Sequence, residues 1–250
     1  MAKPEGYGGR DIPDFGISDT FQTKGIISDL GELASRLGAP NVFDRSGSVI
    51  WFEQFQYGLN SWLSVRTGAG ITPAYVAYPY LYKPGAVKLA CDNSGAGTSQ
   101  IQIILPIPYE SGMGIEFAYH PVWPVTELEF YGELYTGTNR YVFDVQFKLS
   151  IGEINVYTTG PVYQNIYTDA LTYHLPSVYN ITKVVLDLEN KCYSRVMFNK
   201  YDISAKGIPL VTNASVTRPR LTLLMRLENT ALQSEACYID NVIFTLDEPT

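Results

Sequence analysis

The sequence predicts an all-β fold, a two-sheet antiparallel sandwich carried behind an N-terminal extended arm and one short helix. Three observations carry that expectation. From Ser48 onward, apolar and polar residues alternate with a period of two in short runs, the signature of half-buried strands. Gly, Pro and Asn turns punctuate those runs. The composition, 46% hydrophobic against 17% charged, holds ample material for a core. The 250 residues divide into an arm with its helix, 1–44, and a sandwich, 45–250, a length such folds reach as one unit.

The arm is rich in Gly, Pro and Asp, with Tyr7, Ile12, Phe15, Ile17 and Phe21 spaced between polar residues. It holds too little apolar surface to fold alone, and beads of this kind suit docking on a partner. A helix is expected next. Asp29 is its N-cap and Glu32 the capping-box partner, with Leu30, Leu33, Ala34 and Leu37 on one side and Gly38 and Pro40 ending it. A helix this short needs tertiary contacts, so Leu33 and Leu37 join the arm residues as candidate partner-binding positions.

The expected strands are 49–55, 62–66, 87–91, 100–105, 114–120, 126–134, 141–149, 153–158, 170–175, 181–188, 193–198, 221–227 and 236–246. Turns are expected at Ser150-Ile151-Gly152 and Glu189-Asn190-Lys191, and a flexible hairpin at 93–98. The last strand alternates so that Tyr238, Asp240, Val242, Phe244 and Leu246 share one face, with Asp240 in line with the core. A buried carboxylate needs a donor or a cation beside it. Glu53, set among large apolar residues in the first strand, is in the same position.

A net charge of −7 argues against nucleic acid as a partner, since affinity for phosphates rests on Lys and Arg. The N-terminus lacks the apolar stretch of a secretion signal and no run approaches a membrane span, so synthesis in a host cytoplasm is expected. Cys91, Cys192 and Cys237, an odd set without metal spacing, read as free thiols. Nineteen tyrosines suit strands and wet interfaces alike. Tyr75, Tyr78, Tyr80 and Tyr82, in a proline-broken edge segment, form one candidate glycan or protein interface; Tyr119, Trp123, Tyr131 and Tyr135 form a second.

Phe52, Glu53, Phe55, Gly58 and Trp62 at the front, and Tyr238-Ile239-Asp240-Asn241-Val242 at the back, resemble the jelly-roll β-sandwich superfamily of concanavalin A-like, laminin-G-like and carbohydrate-binding domains. Lys183-Val184-Val185-Leu186-Asp187, Tyr193 and Asn199-Lys200-Tyr201-Asp202 resemble its central hairpin. The resemblance implies a structural calcium held by Glu53 and Asp240. The arm from Lys3 to Gly16 resembles minor structural proteins of bacteriophage virions. That likeness implies a non-enzymatic, oligomeric component of the virion surface, on capsid or tail. It would be fastened by its arm to the major capsid or tail protein, with a lectin-like sandwich outward.

Two alternatives are a carbohydrate-binding module for host or environmental glycans, and a glycoside hydrolase. Glu127, Glu129 and Glu133 fall on one side of a strand if it runs unbroken. Laminarinase-type enzymes show E-x-D-x-x-E, whereas this chain has E-x-E-x-x-x-E, and an ordinary acidic strand face explains the three glutamates as well. Retaining hydrolysis wants carboxyls about 5–5.5 Å apart. His120 and His174 accompany no nucleophile motif, and no catalytic residue is assigned.

Overall fold

A computed structural model describes residues 47–79, 85–106, 110–122, 125, 127–160, 162–168, 178–199, 201–229 and 233–250. The arm positions Tyr7, Ile12, Phe15, Ile17 and Phe21 and the helix with Leu33 and Leu37 lie outside the described residues. So do Tyr80, Tyr82, Trp123, His174 and the expected strand 170–175. Among the described residues the structure is all-β, two antiparallel sheets face to face.

Sheet A contains β1 (Ser48–Glu53), β3 (Gly70–Val76), β4 (Ala86–Cys91), β6 (Gly112–Val122), β11 (Asn180–Asp187), β12 (Cys192–Phe198), β13 (Tyr201–Ser204) and β16 (Glu235–Leu246). Its order is β13-β12-β11-β6-β16-β4-β3, with β1 also on β16. Sheet B contains β2 (Leu63–Gly68), β5 (Gly97–Leu105), β7 (Glu127–Tyr135), β8 (Asn139–Lys148), β9 (Glu153–Thr158), β10 (Val162–Tyr167), β14 (Val211–Ala214) and β15 (Arg220–Asn229). Its order is β10-β9-β8-β7-β15-β5-β2, with β14 also on β8.

The core lies between the sheets, where inward residues interdigitate. Phe117 of β6 stacks on Phe130 of β7 at 5.1 Å, and Phe147 of β8 stacks on Phe198 of β12 at 6.0 Å. Offset ring pairs of this kind add to area burial. Gly132 of β7 lies opposite Phe143 of β8, whose ring occupies the space a Cβ at position 132 would need. Tyr119 is wholly buried in this core, its ring tilted 6.0 Å from that of Phe117, so contrary to expectation it does not belong to an interface group with Tyr131 and Tyr135.

β3, β10, β13 and β14 have no counterpart among the expected strands. β3 is an edge strand with Pro73 at a register shift, which is where sheets tolerate a residue without an N–H. The stretch 93–98 is no hairpin: it joins β4 in sheet A to β5 in sheet B. The expected turns at 150–152 and 189–191 do close hairpins, with Gly152 and Lys191 at positive φ. Cys91, Cys192 and Cys237 are free thiols, and burial pushes the Cys91 thiol up to about 11.

β16 departs most from its simple alternation. One edge pairs with β6 throughout, while the other is shared by β4 at 235–239 and β1 at 242–246. A bulge lies at the changeover, with Asn241 at φ +49°. It reverses the phase of the strand. Cys237 and Ile239 face the core before it, and Val242, Phe244 and Leu246 after it. Asp240 therefore does not share a face with Val242, Phe244 and Leu246. It sits opposite Ala118, on the outer side of sheet A.

Candidate functional site

Sheet B aligns its outward side chains in rows. Leu128, Phe130 and Leu134 of β7 are buried in the core, and β7 runs unbroken, so Glu127, Glu129, Tyr131, Glu133 and Tyr135 share the outer face. In β8, Tyr141, Phe143, Val145 and Phe147 point in, leaving Arg140, Asp144, Gln146 and Lys148 outside. In β15, Leu221, Leu223, Met225 and Leu227 point in, leaving Thr222, Leu224, Arg226 and Glu228 outside.

The registers then set one polar side chain beside another across six strands: Gln100, Arg226, Glu129, Gln146, Asn155 and Asn165. This row is knitted by its own hydrogen bonds. The Arg226 guanidinium donates to Glu129 Oε2. Gln146 Nε2 donates to Glu129 Oε1 at 3.1 Å and to Glu127 Oε1 at 2.8 Å, and Asn165 donates to Asn155 Oδ1 at 3.0 Å. Glu129, Gln146 and Asn155 are buried as well, so the planar groups bonded this way lose little freedom when a ligand binds.

The next row brings Tyr131 beside Asp144. Tyr163 reaches from β10 over β9 and donates to Asp144 Oδ2 at 2.6 Å, its ring 5.2 Å from that of Tyr157. Beyond it, Tyr131 and Tyr135 each donate to Glu133 at 2.6 Å, and Arg140 to Glu133 at 3.3 Å. At the β2 end the face turns apolar, with Leu63, Val65 and Ile104 exposed.

Tyr193 supports the site from below. On the β8 edge, β14 pairs at 139–142 and β9 at 145–148, which leaves Asp144 without a strand partner there. Tyr193, wholly buried in β12, spans the core to fill that gap. Its hydroxyl accepts from the Asp144 N–H at 2.8 Å and donates to the Tyr157 carbonyl at 2.9 Å.

Carboxyl groups outnumber their cations here. Oxygens of Glu127, Glu129 and Glu228 all lie within 4.8 Å of one another, and Arg226 pairs with Glu129 and Glu228. Burial, then the hydrogen bond and charge of Glu129, push Glu127 up to about 8. Burial, then the charge of Glu129, push Asp144 up to about 8. Asp144 is 3% exposed, and its Oδ1 has no hydrogen-bond partner.

Of the residues singled out in the sequence, Tyr75 and Tyr78 are exposed near the β3 edge of sheet A, away from this face. Beside Tyr78, the Pro79 carbonyl accepts from Tyr179, part of a ring ladder in which His120 packs on Tyr238 at 6.0 Å and on Tyr179 at 5.7 Å. Glu53 and Asp240 lie on adjoining strands, Glu53 on the side of Val242 and Asp240 on the side of Ala118. Glu53 Oε1 accepts from the N–H groups of Gln54 and Phe55, and Asp240 Oδ1 from that of Asn241. Asp144, Gln146, Asn155, Tyr157, Tyr163 and Arg226 were not singled out. Their alternation was visible, but their adjacency depends on pairings between distant strands.

No family model matches this chain, and no curated protein matches it. Among solved structures, a conserved carbohydrate esterase of the Shiga toxin-encoding bacteriophage phi24B is similar with a TM-score of 0.51 at 10% identity, over 81% of this chain and 100% of that one. A sialidase is similar at 0.48 and 9% identity over 84% of this chain, which spans 20% of the sialidase. A basic winged bean lectin is similar at 0.47 and 10% identity, over 79% and 98%. At these identities what is shared with the esterase is the fold, the β-sandwich that the chain's own strand order describes.

Proposed function

We propose that this protein is a non-enzymatic structural component of a bacteriophage particle that binds carbohydrate on the outer face of sheet B. The observation that carries the binding is the row Gln100, Arg226, Glu129, Gln146, Asn155 and Asn165, with Tyr131, Tyr157 and Tyr163 beside it. Sugars present hydroxyls at their edges and C–H groups on their faces. Fixed planar hydrogen-bonding groups with tyrosine rings match both. The virion setting is supported by the acidic composition and the arm sequence, and the phage source of the similar esterase accords with it. Other virion proteins would be the arm's partners, and the assembly a homo-oligomer.

A glycan array tests the binding. Saturable signals that disappear in a Gln146→Ala/Asn155→Ala variant with unchanged melting support it, and no signal from the wild type overturns it. Deletion of residues 1–40 should abolish incorporation into particles; undiminished incorporation would sink the arm's anchoring role.

One observation favours a second reading, glycoside hydrolysis. Glu127, holding its proton near neutral pH, stands two residues from ion-paired Glu129, an acid beside a carboxylate. Reducing ends released from oligosaccharides by the wild type and not by Glu129→Gln would establish it.

Structural calcium at Glu53 and Asp240 remains a proposal of its own. It is supported by Asn241, which lies in the bulge between Asp240 and Val242, the strand partner of Glu53, and is buried with both amide atoms lacking partners. A melting temperature unchanged by EDTA would count against it.

A further inference from the structure

We propose that the outer face of sheet B selects uncharged glycans and excludes anionic ones, with the Glu127 and Asp144 carboxyl groups bonding to sugar hydroxyls. The inference rests on the glycan-binding reading above and names the ligand class of that same face.

Geometry carries it. Around the central row stand Glu127 and Glu129 on β7, Glu228 on β15 and Asp144 on β8. The cations facing them are Arg226 on β15 and Lys148 on β8. The Arg226 guanidinium is already engaged by Glu129 and Glu228, and its Nε is buried. It is therefore not available to receive a ligand carboxylate or sulfate. An anionic sugar laid on this row would instead meet the carboxylates of Glu129 and Glu228, two negative groups against the single guanidinium of Arg226.

A second observation points to a ligand independently of that cluster. Asp144 is almost wholly buried, receives one neutral donor from Tyr163, and keeps Oδ1 without a partner. As a neutral acid its free oxygen can carry the proton and donate it to a hydroxyl. As a carboxylate it would be a buried charge, with Arg226 nearby but paired to Glu129 and Glu228. Gln146 completes the pattern from the same strand, because its amide group is spent on Glu127 and Glu129 and its carbonyl oxygen remains to accept.

The titration directions agree with the geometry. Burial and neighbouring carboxyls push both acids up to about 8. Burial also pushes up the phenols of Tyr131 and Tyr163, which stay protonated donors through the same range. Glu133 and Arg140 pair with each other one row away, and Glu153 lies opposite Lys148 on β9. Above about pH 8 the two acids ionise, the donors vanish and the face becomes more anionic. Binding to neutral sugars should then weaken.

The test is a glycan array carrying neutral, sialylated, uronic and sulfated members of the same core structures. It is read at about pH 6.5 and about pH 9.5 with wild type and with Glu127→Gln and Asp144→Asn, singly and combined, with circular dichroism at both values. The expected result is neutral spots alone, with apparent affinity falling at least about tenfold between the two pH values. Glu127→Gln combined with Asp144→Asn, which mimics both protonated acids, should retain binding at the higher pH; each single variant, read should the pair fail to fold, should lessen the fall. Comparable signals on anionic spots, or a flat pH response by the folded wild type, would overturn the inference while leaving glycan binding intact. Blank arrays at both pH values would overturn the glycan reading itself.

Discussion

The outer faces of the two sheets both carry charge, and they use it differently. On sheet A, Lys183 of β11 pairs with Glu248 at 2.6 Å, with side chains 1% and 0% exposed. Thr245 donates to the same Glu248 oxygen at 2.5 Å. Val49 and Ile243 cluster beside them, as do Ala118, Tyr179 and Ile181 farther along, all buried. On sheet B, four carboxyls crowd around Arg226, and rings of Tyr157 and Tyr163 stand in reach of solvent. Charge paired and sealed holds a fold together. Charge in excess of its partners, set beneath rings that reach solvent, is poised to meet something else.

The sharpest way to break that contrast is Lys183→Met. Removing one member of a sealed pair leaves Glu248 buried and uncompensated, so stability should fall by about 3–5 kcal/mol. Urea unfolding measures it, and a loss as small as that of an exposed pair would mean that sheet A is not sealed.

Tyr193→Phe comes next and joins the two regions, because its hydroxyl stands between sheet A and the sheet B backbone. It leaves the Asp144 N–H and Tyr157 carbonyl without that partner, a cost of about 1–3 kcal/mol. Glycan affinity should weaken as well, since the strand positions of Asp144 and Tyr157 loosen. Unaltered affinity with reduced stability would confine Tyr193 to the core.

The smallest expected effect concerns pH. An acid whose folded-state pKa is raised takes up a proton on folding. Its contribution is therefore fully present below the ordinary carboxyl range and is lost as pH rises to about 8. Melting temperature should decline between about pH 5 and pH 8 and level off above. Combining Glu127→Gln with Asp144→Asn should flatten that decline, whereas an identical slope in the variant would place the proton elsewhere.

β7 and β16 show how far the sequence could be read. The alternation in β7 was sufficient to put Glu127, Glu129 and Glu133 on one side, because no irregularity interrupts it. The same reasoning applied to β16 misplaced Asp240. A bulge is set where β4 gives way to β1 along the strand's edge, a fact of tertiary pairing. β3, β10, β13 and β14 carry weak or broken alternation because they lie at or off the edges of the sheets, where side chains are less constrained by burial.

By itself, then, the sequence determined the class of fold and, strand by strand, most of what faces the core, since burial of alternate side chains is a local property of a pleated chain. Which strands lie side by side was decided only in three dimensions. Arg226 meets Glu129 across 97 positions of sequence, Tyr163 meets Asp144 from two strands away, and Tyr193 reaches both Asp144 and Tyr157 from the opposite sheet. Registers between distant strands are fixed by packing of the whole core. The candidate site is a product of those registers.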